Sequence, residues 1–259
     1  MKIVALVVAL LAVFGFATAS AATRAEPGPA DTVLARGELR VCSTGDYRPF
    51  TYRDPAGRWS GIDFDLAGDL AHRLGLRPVL VQTTWARLAG DVGHRCDLAM
   101  GGISVTAERA RLATYSTPYQ RDGKTPIVRC ADVARFGTLA QIDRPGVRVV
   151  VNPGGTNEKF ARTRLHQATM LGHPDNNTIF DELLAGRADL MITDASETRW
   201  QSRQHPQLCA VHPDHPFTDD EKAYLLPHGP GLLLGYVNGW LRTIREDGTY
   251  AAVTRRWLG

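Results

Sequence analysis

Short apolar runs recur along this chain, and a stretch with helical spacing follows most of them. The runs are "ELRVCST" (38–44), "RPVLVQT" (77–83), "CDLAMGG" (96–102), "GVRVVVN" (146–152) and "ADLMITD" (188–194). Several are apolar at successive positions, as strands buried on both faces are; a half-buried strand would alternate. Between them, "DFDLAGDLAHRLG" (63–75), "TNEKFARTRLHQA" (156–168) and "TIFDELLAG" (178–186) space apolar residues three and four apart, two of them ending at Gly. This alternation predicts βα units: an α/β fold of mixed, mostly parallel sheets with helices on both faces.

The order of the runs predicts two lobes. Residues 31–121 together with 224–259 form the first, and 125–220 the second. "PYQRDGKTPIV" (118–128) crosses between them and "EKAYLLP" (221–227) crosses back. The closing "GLLLGYVNGWLRTIREDGTYAAVTRRWL" (231–258) reads as two amphipathic helices joined at "EDG". Two lobes joined by two hinge strands leave a cleft. Domain interfaces and strand ends are where α/β proteins place small ligands.

The first residues point to export. Lys2 supplies a charged start, residues 3–16 an apolar core, and "ATA" (17–19) or "ASA" (19–21) a small-residue cleavage site, so 1–21 reads as a signal peptide and the mature chain as periplasmic. A membrane anchor is the weaker reading, because the run falls short of the ~20 residues a spanning helix needs and no basic cluster follows. Export makes the four cysteines candidates for bridges. Cys130 and Cys209 fall where a hinge is expected, and a disulfide between them is predicted there. Cys42 and Cys96 lie on two further strand-like runs, where buried free thiols fit at least as well as a bridge.

Composition excludes more than it assigns. With 259 residues, 44% hydrophobic and 22% charged, the chain is an ordinary globular one. A formal charge of +3, with no basic stripe among aromatics, argues against a nucleic-acid partner. The histidines are scattered, and the "HPDH" pair (212–215) has no ligands in register, so no metal is expected. No G-x-S-x-G, Cys/His signature, dinucleotide turn or P-loop occurs, and no cofactor is implied. Whether the chain self-associates as a homo-oligomer stays open.

Three stretches carry candidate chemistry. "VNPGGTNEKFAR" (151–162) is a strand, a Gly-rich turn and a helix capped at Thr156 or Asn157; Gly155 and Thr156 open an anion seat of free backbone N–H groups, although an unliganded turn has the same pattern. "GGISVTAERARLATYSTPY" (101–119) offers Arg109 as a carboxylate fork, completed by backbone donors at Gly102 and Ser104; alone, Arg109 reads as a solvated helix charge. One anion seat per lobe suits a dicarboxylate. "MITDASETRW" (191–200) adds Asp194 and Glu197, three apart on one helix face. Asp46, Tyr47 and Trp85 are candidate walls of the cleft, and Lys124 a cation in the crossing strand.

Taken together, "LRVCSTGDYRPFTYRD", "DLAMGGISVTAERA", "VNPGGTNEKFAR", "ADLMITDA" and "IREDGTYAAVTRRWL" resemble the periplasmic polar-amino-acid-binding proteins of ABC importers, over nearly all of the mature chain. That resemblance implies a type II clamshell in which Tyr47 stacks on a ligand, Arg109, Gly102 and Thr156 clamp a carboxylate, and Asp194 meets an amino group. "TGDYRPFTYRD", "TPYQRDGKTPI", "HPDNNTIF", "ADLMITDASETR", "LCAVHP" and "EKAYLLP" resemble, more narrowly, the cyclohexadienyl dehydratases, exported enzymes on the same fold. This second resemblance implies prephenate and arogenate as substrates, Glu197 as general acid, and Lys124, Asn152, Asp46 and Trp85 around it, with the Cys130 and Cys209 pair also present. An importer's solute-binding subunit for a polar amino acid is the alternative it leaves.

Overall fold

The computed structural model describes residues 29–229 and 231–259; the expected signal peptide lies outside them. Among the described residues no helix is long and apolar enough to cross a membrane. The chain builds two five-stranded sheets. In the first, Glu38–Ser43 lies between Arg77–Gln82 and Leu98–Ala99, parallel to both. Leu225–Leu226 and Thr114–Tyr115 complete it, with Leu225–Leu226 running antiparallel to each of its neighbours. In the second, Thr169–Gly172, Arg148–Val151 and Leu190–Asp194 are parallel, and Lys124–Arg129 runs antiparallel between Leu190–Asp194 and Leu208–Ala210. Gln120–Asp122 and Asp220–Lys222 pair as a two-stranded ribbon where the chain crosses and returns.

Each sheet has its own core, and the strands of the second show why their sequences run apolar without a break. Val149, Val151, Leu190 and Ile192 pack with Phe136 and Ala161 on one face, while Val150, Met191 and Ile127 pack with Ile179, Phe180 and Leu183 on the other. Successive side chains point to opposite faces, so burial on both faces requires an apolar residue at every position. In the first sheet Leu39 and Val41 join Leu66 and Leu70 of helix Ile62–Arg73. The closing helix Leu232–Glu246 adds Leu233, Val237, Trp240, Leu241 and Ile244, one stripe at helical spacing, to this core. Helix Thr249–Leu258 follows from Gly248, whose φ of 81° is left-handed backbone that suits glycine.

Both cysteine pairs are bridged, Cys42 to Cys96 and Cys130 to Cys209. The first bridge corrects the expectation of buried free thiols: Cys42 stands beside Ala99 across the parallel pair, and the turn before Leu98–Ala99 brings Cys96 back to it. The second pair is joined as expected but not at the hinge. Cys130 follows the far end of Lys124–Arg129, about 20 Å of strand from Lys124. Separations of 54 and 79 residues close long loops in the unfolded chain. Replacing Cys130 and Cys209 by Ser is expected to lower the unfolding free energy by about 2–5 kcal/mol, read as a shift of the urea midpoint in oxidising buffer.

Candidate active site

The site's central charges lie on the crossing ribbon and on the second-sheet strands next to it. Asp194 ends strand Leu190–Asp194 and precedes helix Ala195–Gln204, and the register sets it opposite Lys124, the first residue of the antiparallel neighbour. Lys124 Nζ donates to Asp194 Oδ1 at 2.6 Å, Asn157 Oδ1 at 2.6 Å and Thr156 Oγ1 at 3.0 Å. From the return strand, Lys222 Nζ donates to Asp194 Oδ2 at 2.6 Å and Ser104 Oγ at 2.9 Å, and the Tyr47 hydroxyl donates to the same carboxylate oxygen. Burial alone would raise the Asp194 pKa; the Lys124 and Lys222 ammonium groups outweigh it and hold the carboxyl well below its ordinary value. For Lys222 burial pulls downward, and Asp194 with Asp122 reverses it, so its pKa is raised.

Between the lobes lies a narrow, nearly filled cleft. Tyr47, Trp85, Gly102, Ser104 and Arg109 line it from the first lobe, and Asn152, Gly155, Thr156, Asn157, Asn176 and Asp194 from the second. Tyr47 stacks on Phe50 with ring centroids 5.2 Å apart and meets Trp85 edge-on at 5.5 Å. Arg109 is nearly buried, its Nη1 donates to the Ser104 carbonyl at 3.0 Å, and its guanidinium lies 5.6 Å from the Trp85 ring. Helix Thr156–Arg164 begins at Gly155, one position before the expected cap, and its N-terminus faces the cleft.

Gly102 lines the cleft, but its N–H does not complete a clamp. It donates to Asp63 Oδ2 at 2.6 Å, a buried carboxylate that also accepts from the hydroxyls of Tyr119 and Tyr224 at 2.7 and 2.9 Å. Burial raises the pKa of Asp63 to about 6, against the pull of those hydrogen bonds. Gly102 has φ of 64°, and a Cβ there would overlap Phe50 and Tyr47 at 2.6 Å, so glycine is required by both conformation and space. Asp63 therefore fixes the loop that presents Ser104.

Glu197 stands one side chain behind the lining. It is 1% exposed on the first turn of helix Ala195–Gln204. Its Oε2 accepts from the Thr193 hydroxyl at 2.5 Å, and its Oε1 meets Asn176 Nδ2 at 3.5 Å. Burial above all, with Asp194 and Asp46 adding repulsion, pushes its pKa up to about 8. Asp46 is likewise raised, chiefly by burial, and its side chain lines a neighbouring opening with Thr44 and Asn177 rather than the central space. Asn152 donates to the carbonyls of His173 and Pro174 at 3.2 and 3.0 Å while lining the cleft.

The structure thus brings Tyr47, Trp85, Gly102, Ser104, Arg109, Asn152, Gly155, Thr156 and Asp194 together at the cleft, with Glu197 and Lys124 directly behind. Sequence reasoning missed Lys222, Asn176 and Asp63 as site residues and named Asn157 only as a candidate helix cap at the anion seat. Asn176 also ties the lobes, donating to the Asp46 carbonyl at 2.7 Å.

A two-lobed α/β clamshell with a charged interlobe cleft is a solute-binding fold, and the comparisons agree. The profile of bacterial extracellular solute-binding proteins, family 3, matches residues 39–259, and the chain belongs to that family. Within it, the chain is 52% identical over 241 residues, covering 93% of itself and 90% of the relative, to cyclohexadienyl dehydratase of Pseudomonas aeruginosa. It is 27% identical over 236 residues to the L-cystine-binding protein of Escherichia coli, covering 91% and 88% of the two chains. Among solved structures it matches an ancestral amino acid-binding protein described as a precursor of cyclohexadienyl dehydratase, with TM-score 0.82, 31% identity and 88% and 99% of the two chains covered. An ancestral cyclohexadienyl dehydratase is 48% identical, with TM-score 0.55 and 88% and 95% coverage. The resemblance drawn from the motifs holds.

Two outcomes test the site's electrostatics. Asp194→Asn leaves two buried ammonium groups unpaired and is expected to lose about 3–5 kcal/mol of stability, measured by urea unfolding. For Glu197, the unfolded chain releases the proton near 4.5 and the folded chain near 8, so stability attributable to this group falls as pH rises between them. Glu197→Gln removes that slope. It should match the wild type's Tm near pH 4 and exceed it by roughly 3 °C or more at pH 8, checked by thermal melts across that range.

Proposed function

We propose that this protein is a periplasmic carbon–oxygen lyase that aromatises prephenate to phenylpyruvate and arogenate to phenylalanine, with Glu197 as the general acid. The observation that carries the reading is the divergence of two carboxyls on one strand–helix turn: Asp194 ionised between two lysines, and Glu197 buried with its pKa near 8. A cleft that only grips a solute has no use for a neutral acid. Two groups whose surroundings drive their pKa values apart mark an acid–base assignment. The 52% identity to a named cyclohexadienyl dehydratase supports the same reading.

Prephenate carries two carboxylates and a ring hydroxyl. One carboxylate leaves as carbon dioxide, its bonding electrons enter the ring, and the hydroxyl departs from the opposite carbon. Hydroxide is a poor leaving group, so a proton must reach it in the transition state, an effect typically worth ~10²–10⁴ in rate. The net reaction consumes that proton and yields water, carbon dioxide and phenylpyruvate. Glu197 is set to supply it from Oε1. Asn157 Nδ2 donates to Thr193 Oγ1 at 2.8 Å, which turns the Thr193 hydrogen toward Glu197 Oε2. The acid proton is then left to Oε1, whose one partner is the 3.5 Å contact with Asn176, at the limit of a hydrogen bond. A substrate hydroxyl displaces that contact easily.

Arg109 and the N-terminus of helix Thr156–Arg164 face each other across the cleft as seats for the carboxylate that stays. Tyr47 and Trp85 offer apolar walls for the ring. The purified protein is expected to convert prephenate to phenylpyruvate with no added cofactor, followed by the absorbance of the product. Glu197→Gln should lower kcat at least ~100-fold with KM little changed. In the wild type, kcat/KM should fall as pH rises through about 8, where the folded acid loses its proton. Wild-type protein that leaves both prephenate and arogenate unchanged would return the reading to a solute-binding subunit.

A further inference from the structure

Lys222 takes no part in the proton transfer just described, yet it is the most completely enclosed cation of the site, at 0% exposure. Its Nζ has three acceptors for its three hydrogens: Asp194 Oδ2 at 2.6 Å, Ser104 Oγ at 2.9 Å and the Tyr47 hydroxyl oxygen at 3.3 Å. All three acceptor residues line the cleft. One carboxylate oxygen and two hydroxyl oxygens converging on one point are the set that a ligand's primary ammonium group would require. Here the chain fills that point from outside the cleft, along the return strand Asp220–Lys222, with the ammonium 5.3 and 5.8 Å from the Tyr47 and Phe50 rings. The other oxygen of Asp194 is engaged by Lys124, so neither oxygen waits for a ligand cation. Three cations, Arg109, Lys124 and Lys222, then stand around one lining carboxylate, Asp194, a balance suited to a ligand with two carboxylates and no ammonium.

We propose that Lys222 is a specificity-determining residue whose ammonium group occupies the seat in which this cleft would otherwise hold the amino group of a ligand. The cleft consequently selects dicarboxylates, tolerates the amino group of arogenate without pairing it, and refuses free amino acids. The substrate half of this statement rests on the dehydratase reading; the amino-acid half does not.

The test compares wild type with Lys222→Met and Lys222→Ala. Calorimetric titration with L-phenylalanine should show at least tenfold tighter binding to Lys222→Met than to wild type. The ratio of kcat/KM for arogenate to that for prephenate should rise at least tenfold in the same variant. In Lys222→Ala, added ethylammonium should restore prephenate turnover and weaken L-phenylalanine binding, a rescue that a purely structural lysine would not show. Equal L-phenylalanine affinity in wild type and variant, with no ethylammonium effect, would overturn the proposal. Should Met at 222 prevent folding, Lys222→Gln, uncharged and able to donate to Ser104, carries the same comparison. If neither substrate is turned over by any form, the dehydratase reading fails, and the calorimetric arm still decides whether Lys222 fills an ammonium seat.

Discussion

Asp194 is gripped by two ammonium groups: Lys222 comes from the ribbon where the chain returns between the lobes, and Lys124 from the first residue of the second-sheet strand that follows the crossing. This places a buried carboxylate and two buried ammonium groups where the two halves meet. Asp194 belongs to the second sheet and Tyr47 and Ser104 to the first lobe, so the network spans the cleft as well as lining it. Buried ions are costly to desolvate and are retained only where partners satisfy them. Here every ammonium hydrogen of Lys124 and Lys222 has an acceptor. The network is therefore a device of position, holding Tyr47, Thr156 and Ser104 in fixed relation around one negative charge.

The same charge bears on its neighbours. Burial above all, and then repulsion from Asp194, favours the neutral form of Glu197; the Thr193 hydrogen bond and, more weakly, Lys124 oppose this. Asp63, on the first-lobe side, shows what burial does when hydrogen bonds are plentiful: three donors hold its pKa to about 6, whereas Glu197, with one strong donor in Thr193, reaches about 8. Two buried carboxyls thus differ by the donors supplied to them and by the negative neighbours, Asp194 and Asp46, that Glu197 alone has; the one poor in donors is the one beside the cleft.

The sheets were legible because burial on both faces leaves its mark in unbroken apolar runs, and Arg148–Val151 and Leu190–Asp194 fall within the runs that signalled them. Arg109, Thr156 and Asp194 were legible because loops after strands and helix starts are where such folds place ligand groups. Lys222 was not, because "EKAYLLP" reads as a crossing strand in which Glu221 and Lys222 have equal claim to face inward. The pairing of Lys222 with Gln120 decides it, leaving Glu221 exposed. Asn176 belongs to a polar turn whose direction depends on the opposite lobe, and Asn157, on the first turn of helix Thr156–Arg164, is turned toward Thr193 of the neighbouring strand. The Cys42–Cys96 bridge required the register of a parallel pair, which no local pattern carries.

The engagement of Lys124 bears on how a decarboxylation can be catalysed at all. A cation that grips the departing carboxylate stabilises the ground state more than the transition state, because negative charge leaves that group as carbon dioxide forms. The three hydrogens of Lys124 are spent on Asp194, Asn157 and Thr156. In the proposed reaction Lys124 would act at a distance, through Asp194 and through the seat at the start of helix Thr156–Arg164, without a close contact that holds the leaving group back. In that proposed reaction Arg109, whose Nη1 is anchored on the Ser104 carbonyl, is the direct fork for the carboxylate that stays. For the proposed chemistry, firm contact at the end of the substrate that is kept, looser contact at the end that is lost, and a neutral acid behind the hydroxyl together favour the passage to an aromatic ring over tight binding of the substrate.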